Sequence, residues 1–75
     1  MAHTTVAHLN SIIEDINGLQ PHADGKYYLD SAYGGYRLGY EKTSGGAYDC
    51  SERVSAGELY RICFAVRNVL ERNHK

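Results

Sequence analysis

Residues 26–42 read Lys26-Tyr27-Tyr28-Leu29-Asp30-Ser31-Ala32-Tyr33-Gly34-Gly35-Tyr36-Arg37-Leu38-Gly39-Tyr40-Glu41-Lys42. Large and polar side chains alternate on both sides of a diglycine, the period-two pattern of two half-buried strands. A two-residue Gly34-Gly35 turn supplies the positive φ angles of a type I′ hairpin. It predicts Tyr33 opposite Tyr36, Ser31 opposite Leu38 and Leu29 opposite Tyr40. With Tyr27, these residues make an apolar face that looks inward. Tyr28, Asp30, Ala32, Arg37, Gly39 and Glu41 look outward, with Asp30 and Arg37 as diagonal neighbours in a surface ion pair.

A hairpin alone is marginal in water, so the flanking segments must complete a core. Downstream, Thr43–Gly46 reads as a turn and Ala47–Ser51 as a short third strand. Upstream, Val6, Leu9, Ile12, Ile13 and Ile16 recur at helical spacing and predict a helix over about 5–17, with Thr4 or Thr5 as N-cap. Gly18 in the left-handed conformation, followed by Leu19 and Pro21, ends that helix. After the third strand, Val54-Ser55-Ala56-Gly57-Glu58-Leu59 combines an N-cap serine, a capping-box glutamate and a Val54–Leu59 staple. The helix it opens has a core stripe of Leu59, Ile62, Cys63, Val66, Val69 and Leu70 and frays into Arg72–Lys75. The expected architecture is α+β: a single domain over residues 1–75, ordered helix, three-stranded antiparallel meander, helix, with both helices on one face of the sheet.

Length and charge narrow the function. The chain has 75 residues, a formal net charge of −1, seven Tyr, one Phe, two Cys and no Trp. So short a chain leaves little apolar surface beyond its core for a deep catalytic cleft. Near-neutral charge opposes nucleic-acid binding by phosphate contacts, so a DNA-binding regulator is disfavoured. The charge is uneven: residues 1–25 carry Glu14, Asp15 and Asp24 without a Lys or Arg, whereas residues 51–75 carry five cations. This predicts an acidic first helix lying beside a basic last one. With no long apolar run and no signal-peptide pattern, the expectation is a cytoplasmic protein without a membrane segment, its Cys50 and Cys63 reduced thiols.

Some residues exceed what a core needs. On the second helix Phe64 points away from the core stripe, flanked by Tyr60, Arg61 and Arg67. Aromatic-plus-Arg is the composition enriched at the energetic centres of protein interfaces, so these four residues are the candidate partner-binding surface. The alternative is that the first helix covers Phe64 within the monomer. On the sheet, Tyr28 and Tyr48 facing outward with Arg37 are candidates for stacking and holding a small anionic ligand such as a nucleotide. No metal site is expected, because His3 and His8 are five residues apart and four is the spacing that aligns ligands on a helix. No cofactor motif and no nucleophile–base pair appear, since neither cysteine has an adjacent His and Ser55 serves as a cap. The expectation is therefore a non-enzymatic protein.

The segment Tyr27–Leu38, with its YGGYRL core, followed by Asp49, Ser51, Arg53-Val54-Ser55 and Glu58-Leu59-Tyr60, resembles small uncharacterised proteins encoded by bacteriophages and prophages. The likeness covers roughly residues 27–70. The resemblance implies an accessory protein of a bacterial host cell that acts by stoichiometric binding to a host or phage protein, with antagonism of a host defence or regulatory protein as one form. A homo-oligomer fits the same picture. A small-molecule- or nucleotide-sequestering protein is the alternative.

Overall fold

The computed structural model describes residues 4–21, 23–32 and 34–73. Two helices, α1 (Val6–Gly18) and α2 (Ala56–Asn73), flank three strands, β1 (Gly25–Ala32), β2 (Gly35–Lys42) and β3 (Ala47–Asp49), in the order α1-β1-β2-β3-α2. The strands form one antiparallel meander of order β1-β2-β3. This is the α+β architecture expected from the sequence.

α1 starts at Thr5, whose hydroxyl accepts from the His8 N–H while His8 Nδ1 accepts from the Thr5 N–H. His8 is thus a cap residue. Gly18 does not adopt the left-handed conformation expected of it. The helix runs through it and ends at Leu19 in right-handed backbone, where the Leu19 N–H is shared between the carbonyls of Asp15 (3.2 Å) and Ile16 (3.1 Å). That shared bond satisfies the last turn, so no left-handed residue is required.

The hairpin register differs from expectation. Pairing runs from Gly25–Lys42 to Ala32–Gly35, so Gly35 joins the ladder instead of the turn. Leu29 faces Leu38 and Ser31 faces Tyr36, a slide of two residues that keeps every side chain on its predicted face. The Tyr33–Tyr36 pair lies outside the described residues. What selects this register is tertiary: Val54 runs alongside Tyr36, exchanging backbone bonds of 2.8 and 2.7 Å. Its carbonyl lies so close to Gly35, at φ +128°, that a Cβ there would overlap it.

β3 stops at Asp49 instead of Ser51. Cys50 still donates to the Leu38 carbonyl (2.8 Å), but the Leu38 N–H turns to Ser51 Oγ (3.0 Å), breaking the ladder. Ser55 caps α2 as predicted, its Oγ accepting from the Glu58 N–H (3.3 Å) and donating to Glu58 Oε1 (2.8 Å).

Both helices pack on one face of the sheet. Leu9, Ile12, Ile13 and Ile16 of α1 meet Leu59 and Cys63 of α2 over Leu38, ringed by Tyr27, Leu29, Tyr36, Val54 and Val66. α1 lies against β1 and α2 against β2, whereas β3 touches β2 alone among the elements. The predicted apolar stripes are trimmed at their ends, because Val6 and Val69 are exposed.

Candidate functional site

α2 has two flanks, and its side chains sort onto them by helical spacing. On the flank beside α1, Tyr60, Phe64, Arg67 and Glu71 follow one another at three- and four-residue steps and form a ridge. Tyr60 is half-buried against the core. Phe64 remains 43% exposed, so α1 does not cover it. The Arg67 guanidinium sits 4.9 Å from the centre of the Phe64 ring, in cation–π range. Arg67 also reaches Asp15 of α1 (3.6 Å) and Glu71 one turn on (3.4 Å), the acidic-beside-basic arrangement predicted for the two helices. Three neighbours therefore surround the guanidinium, which lies against the ring. Arg61 is exposed on the shoulder of this ridge. All four predicted partner-binding residues thus lie on α2, and Tyr60, Phe64 and Arg67 share a continuous surface.

The predicted ligand-binding trio does not assemble. Tyr28, Gly39 and Asp49 are in register on the outer face, whereas Tyr48 pairs with Tyr40 and faces the helix side. Tyr48 was expected outward because the register of β3 is set by the length of the Thr43–Gly46 turn, which alternation alone does not specify. The Tyr28 ring lies over Gly39, where a Cβ would overlap it. Arg37 is committed to carboxylates, with Nη2 2.6 Å from Asp30 Oδ2 and Nε 3.1 Å from Asp49 Oδ1. Arg53 arrives from the β3–α2 connection to within 3.4 Å of the same Asp30 oxygen and donates to the Gly35 carbonyl at 3.1 Å. The Arg37 hydrogen bond, with both guanidinium charges, holds the Asp30 carboxyl below its ordinary range. This network stitches the hairpin together and leaves no open guanidinium on the outer face for an anion.

On the helix side a tyrosine cluster occupies the end of the sheet. Tyr40 meets Tyr27 edge-on at 4.9 Å and lies 5.5 Å from Tyr48. Its hydroxyl donates to Asp24 Oδ1 at 2.6 Å. That bond, with burial, pushes the Tyr40 phenol up to about 12. Burial raises Tyr27 as well. Cys63 is buried, its thiol pushed up to about 11, and Cys50 is exposed.

The sequence reasoning missed the second flank of α2. Ala65, Val66, Val69 and Leu70 form with Tyr27 an apolar groove. Val69, placed in the core by its spacing, is 54% exposed because none of the described elements lies over that flank. The available signal was a stripe of α2 wider than two helices on a three-stranded sheet could cover.

Among the described residues no group of three or more His, Cys, Asp or Glu side chains gathers as a metal site would require; His3, His22 and His74 lie outside those residues. No described helix is long and apolar enough to cross a membrane. Comparison with protein-family models, with curated proteins and with solved structures returns no match.

Proposed function

We propose that this chain is a non-enzymatic accessory protein, phage-encoded as its hairpin and helix-start motifs suggest, that acts by stoichiometric binding to another protein through Tyr60, Phe64 and Arg67, with Arg61 at the rim. The observation that carries the reading is the Phe64–Arg67 pair, an exposed aromatic ring with a guanidinium 4.9 Å from its centre that Asp15 and Glu71 flank. Binding energy concentrates in such anchors, and side chains ordered before the encounter lose less entropy on docking. Antagonism of a host defence or regulatory protein is the biological form this binding takes.

Phe64→Asp removes the ring and places a carboxylate beside Asp15 and Glu71. Because Phe64 is outside the buried core, the variant keeps the far-UV circular dichroism of the parent and a folding stability within about 1 kcal/mol of it. Affinity capture from the bacterial host, analysed by mass spectrometry, recovers one protein in equimolar amount with the parent and loses it with the variant. Recovery of the same proteins with both chains would sink the proposal.

A further inference from the structure

The uncovered flank of α2 carries an ordered charge pattern. Glu58, Ile62, Ala65, Val69 and Arg72 follow at steps of three and four, one stripe on a 3.6-residue wheel, with Arg61 and Asn68 on its margin. An acid opens the stripe, a base closes it, and the small Ala65 lies midway. Arg61 and Arg72 make no ion pair among the described residues. Glu58 uses Oε1 for the Ser55 cap.

We propose that this flank receives α2 of a second copy of the chain, antiparallel and centred on Ala65. A two-fold axis through Ala65 pairs each residue with the one equally far on the other side. Glu58 of one copy then meets Arg72 of the other, twice by symmetry, Val69 lies under the stem of Arg61, and Ile62 faces Asn68. The two ion pairs stand about 21 Å apart along the helices, fourteen residues at 1.5 Å each. The parallel alternative sets Glu58 on Glu58 and Arg72 on Arg72, so the charges select the antiparallel arrangement. Ala65 at the crossing lets the axes approach to roughly 8 Å, the near limit for packed helices. Tyr27, at the groove wall, supplies apolar surface for the incoming helix. The proposal does not use Phe64, which lies about 100° around the helix from Ala65 and stays outward in the dimer, and Arg61 is the one residue the two readings share.

Sedimentation equilibrium over a concentration series tests it. The full chain sediments at twice its 8.4 kDa at high concentration and dissociates on dilution. Arg72→Glu and Glu58→Arg each weaken self-association at least tenfold, since each sets like charges against each other at both ends. Mixed in equal amounts, the two variants form a heterodimer in which both ends again pair Glu with Arg. Should Glu58→Arg lose helicity with its cap, Ala65→Glu replaces it, setting two carboxylates on the axis and giving a monomer of unchanged circular dichroism. Phe64→Asp dimerises like the parent. A parent that stays at 8.4 kDa at millimolar concentration overturns the proposal. So does a dimer that Phe64→Asp dissociates and Ala65→Glu does not, or a mixture of charge variants that stays monomeric.

Discussion

Tyr40 shows how one side chain carries both packing and titration. Its ring belongs to the helix-side face of the sheet, and its hydroxyl reaches Asp24 before β1 begins, so the bond ties the connection after α1 to the middle strand. The folded phenol titrates at about 12 against an ordinary value of 10.0, so the folded state holds this proton more tightly than the unfolded chain does. Its contribution to stability is complete below pH 10 and is lost as pH rises through 12. Ultraviolet difference titration should show a tyrosine ionising about two pH units late, and Asp24→Asn should return it toward the ordinary range. A parent whose tyrosines all ionise together near pH 10 would contradict the assignment. Alternation in the sequence placed Tyr40 on the correct face. Asp24 was invisible as its partner, because the two residues meet only through the path of the connecting loop.

Among the elements, β1 depends most on a contact that periodicity cannot show. It is an edge strand, and an open edge leaves backbone groups unpaired. Asn17, on the last turn of α1, accepts from the Tyr27 N–H (2.8 Å) and donates to the Tyr27 carbonyl (3.0 Å), doing with one amide side chain what a neighbouring strand would do. Asn17→Leu keeps the branched shape and removes both bonds, stranding two half-buried backbone groups at a cost of about 1–3 kcal/mol. The urea midpoint should fall accordingly with an unchanged slope, and an unmoved midpoint would show that water serves Tyr27 equally well. Ser55→Ala should cost about 1 kcal/mol by the same measurement, through the lost cap of α2. The Ser55 cap was legible because it is local, serine and glutamate three residues apart. The Asn17 bridge was not, because it joins residues ten apart on two elements whose mutual placement had first to exist.

The molecule as a whole has a core of a few aliphatic side chains and one thiol on three elements, and so has little stability in reserve. Leu59 is fully buried where α1, α2 and β2 converge. Leu59→Ala should cost about 2–5 kcal/mol, comparable with the entire stability of so small a domain, so the variant should be largely unfolded at 37 °C by circular dichroism. A cooperative melt close to that of the parent would place the core elsewhere.

The order of elements, the helix cap at Ser55 and the inward and outward faces of the hairpin all follow from the chain itself. Each rests on residues within a turn or a strand of one another, where spacing alone determines which side chains share a face. The hairpin register, the facing of Tyr48, the Asn17 bridge to β1 and the uncovered flank of α2 were decided only by tertiary structure. Each depends on where a distant segment comes to rest: Val54 against Gly35, β3 beside Tyr40, Asn17 on the edge of β1. No periodicity encodes those approaches, because their geometry follows from the packing of the two helices over three strands.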